Sequence, residues 1–290
     1  MKGIVLAGGA GTRLQPMTKV VSKQLLPVYD KPLIYYPIST LMLAGIKDIL
    51  IISTPEDQER YARLLENFVN LGVNFTYVIQ EKPEGIAHAF ILAEKFLDGD
   101  DCTLILGDNL FFGHDLALLL QEAIDSNDGA TIFGYRVSDP ERYGVVEFDE
   151  SGMAIDLVEK PKHPISQYAV TGIYIYNNEV INYAKLLEPS ARGELEITDI
   201  NKIFLRNGNL NVQILGRGFT WLDTGTPDSL LDASQFVQMI EKRQGLKVAC
   251  PEEIAWRNGW VKREDMETIA GNSKGDYAAY LRGIVTETTF

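Results

Sequence analysis

The 290-residue chain predicts an α/β protein: a mostly parallel sheet flanked by helices, with antiparallel additions and a helical C-terminal extension. Three observations predict it. In the first half, short apolar runs of strand length alternate with helix-spaced patterns, as in a parallel sheet covered on both faces. In the second half, strand-like runs follow one another with only turns between them, which adds antiparallel strands. After residue 245 only short helical patterns remain.

Taken in order, residues 3–6 are a buried-strand run that opens directly into glycines. Residues 32–44 carry helix-spaced apolar positions and stop at Gly45, and 49–52 are a second strand. Thr54, Pro55, Glu56 and Asp57 form a helix-start pattern, with a threonine cap, proline in the first turn and acids at the positive end. Residues 75–79 read as a strand, 86–97 as a helix, 103–106 as a strand and 115–124 as a helix. The runs at 131–135, 145–148, 154–159 and 172–176 are the antiparallel candidates. Thr226, Pro227 and Asp228 repeat the cap-and-proline signal and open a helix to about residue 243, stopped by Gly245. Residues 251–258, 264–270 and 277–281 read as short helices. With no repeat or long linker, one α/β body over 1–238 and a helical extension over 239–290 are expected.

Composition narrows the function. The chain is 46% hydrophobic and 23% charged, an ordinary globular balance. No run approaches the ~20 apolar residues of a bilayer span, so no membrane partner is expected. The opening MKGIVLAGGAGTRL is too short in its apolar part for a secretory signal. Cys102 and Cys250 are far apart and in no metal-ligand spacing, which fits a cytoplasmic location. Lysine and arginine total 27 against 40 acids, a net charge of −13, which argues against nucleic acid as a partner. Any anion must be held by a local cluster of cations.

The loop GGAGTR, residues 8–13, follows a strand, where glycines let backbone N–H groups approach phosphate oxygens. It is not a P-loop, since Gly11 is followed by Thr12 and Arg13. Nor is it a dinucleotide fingerprint, since Leu14 stands where the third glycine belongs. The longer stretch LAGGAGTRLQPMTKVVSKQLLPVYDKP, residues 6–32, resembles the signature of the sugar-1-phosphate nucleotidylyltransferases. The family's other motifs follow in the same order through residue 290, and the chain looks most like the branch that uses dTTP and glucose 1-phosphate. The resemblance implies a Rossmann-like sheet, Mg²⁺ as cofactor, and dTDP-glucose and pyrophosphate as products, feeding deoxysugar synthesis for surface polysaccharide. It also implies a homo-oligomer, tetrameric in the family.

That chemistry has definite requirements. The attacking sugar phosphate has a second pKa of about 6 and is largely a dianion at neutral pH, so no protein base or nucleophile is needed. The obstacle is bringing two polyanions together, which calls for positioning, cations and a metal. Arg13, at the end of the glycine loop, can clasp phosphates with its guanidinium fork. The counterpart of Lys23 contacts phosphate in the family, and Lys160, in VEKP, resembles its sugar-phosphate lysine. Asp108, ending LILGDN, and Asp223, in WLDTGTP, match its metal-binding aspartates. With Asp108, these three cations are the catalytic candidates. For the nucleotide, the resemblance adds Leu6, Gly8, Gly9, Gly11, Thr12, Gln24, Gln80, Pro83 and Gly85. The Gln80 amide can donate and accept at a pyrimidine's imide edge, and Gly85 lets the base stack near backbone. For the sugar phosphate it adds Asn109, Tyr143, Gly144, Glu159, Val170, Thr171, Gly172 and Arg192.

Glu159 and Lys160 pose a difficulty, because adjacent strand residues face opposite sides. His88, His114 and His163 form no ligand set, and Asp98–Gly99–Asp100 precedes its strand, so it reads as a solvated turn. In the family, counterparts of 112–114, 216–217 and the C-terminal helices with Trp256, Arg257 and Trp260 serve subunit contacts and a regulatory nucleotide sugar. Alternatives remain open at this point: the same chemistry with UTP or another hexose phosphate, a glycosyltransferase, or a regulatory subunit. A methyl contact separates thymine from uracil by only ~1–3 kcal/mol.

Overall fold

The computed structural model describes residues 1–9 and 11–286; Ala10 of the glycine loop and residues 287–290 of the extension lie outside the described residues. In chain order, strand β1 (Lys2–Leu6) leads through 3-10 turns to a small hairpin of β2 (Pro27–Val28) and β3 (Lys31–Pro32). Next come α1 (Tyr35–Leu43), β4 (Asp48–Ser53), α2 (Gln58–Leu65), β5 (Asn74–Ile79) and α3 (His88–Leu97). They are followed by β6 (Cys102–Leu106), β7 (Asn109–Phe112), α4 (Leu116–Asp125) and β8 (Ala130–Arg136). The second half holds β9 (Gly144–Phe148), β10 (Ala154–Glu159), β11 (Tyr168–Tyr176), α5 (Glu179–Leu186) and α6 (Ile197–Arg206). The chain then runs through β12 (Leu210–Leu215), β13 (Thr220–Asp223) and α7 (Pro227–Gln244) to α8 (Pro251–Arg257), α9 (Arg263–Asn272) and α10 (Gly275–Thr286).

Nine strands form the main sheet, in the order β10-β9-β11-β6-β1-β4-β5, with β8 pairing both β11 and β12. The pairs among β6, β1, β4 and β5 are parallel, while β11 runs antiparallel to β6, β8 and β9. Strand alternation divides the core between the two faces. Val5, Ile49, Ile51, Ile105 and Ile175 pack with α1, α4 and the C-terminal helices. Their neighbours Ile4, Leu50, Ile52, Leu104 and Tyr176 pack with α3, α5 and α6. The α/β class is therefore the one read from the sequence. Among the described residues no helix is long and apolar enough to cross a membrane.

A third core, with Leu14, Val28, Tyr36, Leu230 and Val237, joins the β2–β3 hairpin to α7. Beside it four charges alternate in sign. Lys31 Nζ pairs with Asp30 Oδ1 and lies 3.2 Å from Glu241 Oε1. Lys247 Nζ stands 2.5 Å from Asp30 Oδ2 and 2.7 Å from Glu241 Oε2. Burial alone raises the Asp30 carboxyl, but hydrogen bonds and charge from Lys247 and Lys31 overturn this and hold it below its ordinary range.

Several element limits differ from expectation, each for a local reason. The helix expected over 32–44 starts at Tyr35, because Pro32 pairs in the hairpin and the amides of Leu33 and Ile34 donate to Leu26 O and Gln24 O. Thr54 does not cap α2. Its hydroxyl donates to Asp57 Oδ2 at 3.1 Å, and the helix begins at Gln58. The helix expected from 86 starts at His88, because its opening turn is bonded i to i+3, Ala89 N–H donating to Ile86 O and Phe90 N–H to Ala87 O. The strand expected over 172–176 extends back to Tyr168 through pairing with β8 and β9. By contrast, Thr226 accepts from Ser229 N–H in a capping box and Gly245 closes α7 in a left-handed conformation, as the sequence pattern predicts.

Candidate active site

Ligands in open α/β sheets bind outside the carboxyl ends of the strands. The glycine loop leaves β1 at that edge, Gln80 follows β5, and Asp108 lies in the turn between β6 and β7. Gly9 (φ +108°) and Gly11 (φ +54°) hold backbone conformations that suit glycine. The loop is pinned by fully buried Leu14 and by Thr18 Oγ1, which donates to Gly11 O at 2.7 Å.

Two cavities open here. The first, of about 440 Å³, is lined by Gly9, the segment 18–23, Thr54, Asp57, Arg60 and residues 80–83. Of the nucleotide candidates it gathers Gly9, Lys23, Gln80 and Pro83. Leu6, Gly8, Gly11, Thr12, Gln24 and Gly85 line neither cavity. Leu6 O instead accepts from Gly107 N–H, and Gln24 Oε1 accepts from Ser22 and Tyr61 beneath the loop. Buried Gln80 is oriented by its neighbours, its Nε2 lying 3.2 Å from His88 Nδ1 and 3.5 Å from Gly85 O.

The second cavity, about 530 Å³, gathers Asn109, Tyr143, Gly144, Glu159, Lys160, Val170, Gly172 and Arg192, together with Arg13, Asp108 and Asp223. Thr171 does not reach it. That side chain is fully buried between Val170 and Gly172, and its hydroxyl has no partner among the described residues. The Glu159–Lys160 difficulty is resolved by the backbone. Lys160 follows the last residue of β10 and takes φ +45°, which breaks strand alternation, and its N–H donates to Tyr143 O. Lys160 Nζ thus comes within 3.7 Å of Glu159 Oε1 on the same wall. Arg192 is held among carboxylates, 2.7 Å from Glu196, 3.5 Å from Glu159 and 3.6 Å from Glu194. Asn109 donates to Asp108 Oδ1 at 2.7 Å and accepts from Trp221 Nε1 at 2.5 Å. A Cβ at Gly172 would stand 2.5 Å from Asn109 Oδ1, so glycine there admits the amide.

At the seam between the cavities, Lys23 Nζ pairs with Asp108 Oδ2. The β7–β13 ladder sets Asp223 opposite Asn109, and Thr224 donates through N–H and Oγ1 to Asp108 O. Burial, and then the negative charge of Asp108, push the Asp223 carboxyl above its ordinary range, against the pull of Lys23, Arg13 and Arg142. Among the described residues no set of three or more metal-ligating side chains exists, so a closed protein cage is absent. Two carboxylates sharing one site fit a hard divalent cation that completes its shell with phosphate and water.

Arg13 departs from its expected setting. It lines the second cavity, with Nη2 2.9 Å from where a Cβ at Gly225 would stand. Other lining residues escaped sequence reasoning. Arg142 lies 2.7 Å from Asp139, 3.9 Å from Asp223, and over the Tyr143 ring. Thr198 Oγ1 donates to Glu159 Oε2 at 2.6 Å. Arg142 and Trp221 adjoin residues already singled out, so proximity was an available signal. Thr198 opens α6, a helix no motif announced.

The segments expected from the resemblance to serve subunit contacts and regulation separate. Phe112, Gly113 and Arg257 line a cavity of about 410 Å³, whereas Gly216 and Arg217 line another of about 860 Å³. Trp256 and Trp260 pack against the core, and the side chain of His114 is 95% exposed.

Residues 2–239 match the model of the nucleotidyl transferase family. A glucose-1-phosphate thymidylyltransferase of Neisseria gonorrhoeae is 55% identical over 286 residues, 98% of this chain and 99% of that protein. One from Mycobacterium tuberculosis is 52% identical over 97% and 98%. Among solved structures, a Bacillus anthracis protein crystallised with a sucrose matches at TM-score 0.76 and 44% identity, over 81% of this chain and 94% of that one. A UDP-glucose pyrophosphorylase complexed with UDP-glucose matches at TM-score 0.72 and 26% identity, over 82% and 98%. With the glycine loop, the seam lysine and both aspartates in place, the chain belongs to the nucleotidyl transferase family.

Proposed function

We propose that the protein transfers a thymidylyl group from dTTP to glucose 1-phosphate, releasing dTDP-glucose and pyrophosphate. The observation that carries this reading is the Lys23–Asp108 pair at the seam of a cavity bearing Gln80 and a cavity bearing Glu159 and Lys160. The relatives' shared name supports dTTP over UTP, at 55% identity against 26% for the UDP-glucose pyrophosphorylase.

A sugar-phosphate oxygen attacks the α-phosphorus in line. The new P–O bond forms as the bond to the β-phosphate bridge breaks, and pyrophosphate departs with the electron pair. Lys160 and Arg192 hold the sugar phosphate, and Lys23 and Arg13 offset the charge gathered at the seam. Glu159 and Asn109 receive sugar hydroxyls, with Tyr143, Gly144 and Val170 as walls. Gln80 meets the imide edge of the base. Asp108 and Asp223 would hold Mg²⁺, which when bound neutralises phosphate charge. Purified protein with magnesium, glucose 1-phosphate and each triphosphate in turn should release pyrophosphate fastest with dTTP. A higher kcat/KM with UTP would overturn the choice of base.

The same reading carries a cytoplasmic homo-oligomer, a tetramer by resemblance, with catalysis in residues 1–238 and regulation in 239–290. A regulatory nucleotide sugar would occupy the 410 Å³ cavity, on whose wall the Ser39 hydroxyl has no partner among the described residues.

A further inference from the structure

The nucleotide and sugar sides of the site are joined by main chain. Residues 190–196 make an arm that carries Arg192, Glu194 and Glu196 to the sugar-side cavity. Apart from the Arg192 guanidinium, which reaches Glu159 at 3.5 Å, its own bonds are local: Ser190 N–H donates to Glu194 O (2.9 Å), Gly193 N–H to Ser190 O (2.8 Å), and Ser190 Oγ to Glu196 Oε1 (2.7 Å). Among the described residues, Leu195 alone ties the arm's main chain to a segment distant in sequence. Its N–H donates to Glu84 O at 2.8 Å, and its carbonyl accepts from Ala87 N–H at 3.2 Å.

Both partners belong to the loop that presents Gln80 and Pro83 to the nucleotide side and Ile86 to the sugar side. Between them Gly85 takes φ +100°, and a Cβ there would lie 2.3 Å from Leu195 O and 2.6 Å from Leu195 N. Glycine is thus demanded by this clip, whether or not a base stacks on it.

We propose that the Glu84–Leu195–Ala87 clip makes Leu195 a positioning residue that transmits nucleotide binding to the sugar-phosphate arm. The inference rests on the reading that dTTP occupies the Gln80 side. Ordering a loop costs backbone entropy. A nucleotide that immobilises residues 80–87 therefore also restrains Arg192, Glu194 and Glu196, which it does not touch. The sugar phosphate then meets an arm already in place. Linkage makes the effect reciprocal.

Hydrogen–deuterium exchange on the full-length protein tests this with dTTP and no sugar phosphate. Peptides covering 80–87 and 190–196 should both slow, while those of α9 keep their rate. Glucose 1-phosphate alone should likewise slow both segments. If dTTP protects 80–87 and leaves 190–196 unchanged, the clip transmits nothing and the inference falls alone. If dTTP protects neither, the reading beneath it falls as well. Gly85→Ala should abolish the dTTP-dependent protection of 190–196 and raise the KM for glucose 1-phosphate about tenfold, within the usual span of such couplings. Leu195→Pro, which deletes one of the two bonds without adding bulk to the base loop, should give the same result. Coupling retained in both variants would overturn the proposal.

Discussion

Lys23 is 7% exposed, and its ammonium is pressed against Asp108 where the proposed reaction brings two anionic substrates together. A buried cation without a partner is costly, and the Asp108 carboxylate supplies that partner. Asp108→Asn should therefore lower kcat by about a hundredfold or more while circular dichroism stays native, the scale of losing one preorganised electrostatic group. Near-normal turnover in magnesium would remove Asp108 from the metal site. Lys160→Met should act on binding, raising the KM for glucose 1-phosphate by about 10- to 100-fold, the worth of one charged hydrogen bond. An unchanged KM would place the phosphate clamp elsewhere. Sequence motifs singled out each of these residues. They did not foretell how Glu159 and Lys160 share a wall, because the positive φ at Lys160 is a property of the folded backbone. Nor did they single out Arg142, which only its place next to Tyr143 could have suggested and which the structure sets 3.9 Å from Asp223.

Helix α7 leaves the Asp223 strand through a capped start and ends beside the four-charge cluster. Thr226→Ala removes the hydroxyl that accepts from Ser229 N–H and should cost about 1 kcal/mol in denaturant unfolding. A change below a few tenths would mean that water or Ser229 replaces the cap. At the other end, Glu241→Ala leaves the buried Lys31 ammonium and the half-buried Lys247 facing Asp30 alone and should destabilise the protein by about 3–5 kcal/mol. The Asp30 carboxyl titrates below its ordinary value of 3.8, so the folded state binds fewer protons than the unfolded one near that pH. Its stabilisation is complete above that value and is lost as pH falls through the lowered one. Asp30→Asn should accordingly flatten the acid side of the stability profile, and an unaltered acid limb would contradict the cluster. Caps and glycine stops made α7 legible in the sequence. β7, β13 and the β2–β3 hairpin were not, since two to four residues carry no periodicity to read.

Over the whole molecule, the alternation of Ile4 with Val5 and of Leu50 with Ile51 between the two faces expresses the pattern that predicted a parallel sheet. In the second half β8, β9, β10 and β11 were legible as strands but not as an order; β12 went unread, and it pairs parallel to β8, a placement only tertiary structure makes. The α5–α6 layer went unread because its polar positions mask its buried stripe, although α6 buries Ile197, Ile200 and Phe204. Since dTTP binds only the folded chain, a concentration of 100 times its Kd should raise unfolding free energy by about 2.7 kcal/mol. A melting temperature indifferent to dTTP would speak against a nucleotide site at this sheet edge.

The β7–β13 ladder has a consequence for biosynthesis. Asp108 emerges from the ribosome long before Asp223, and the two become neighbours only when Thr220–Asp223 pairs with Asn109–Phe112. A nascent polypeptide halted short of that pairing has its glycine turn and its lysine but a single carboxylate. Both carboxylates therefore stand together only in a chain that has folded through Asp223.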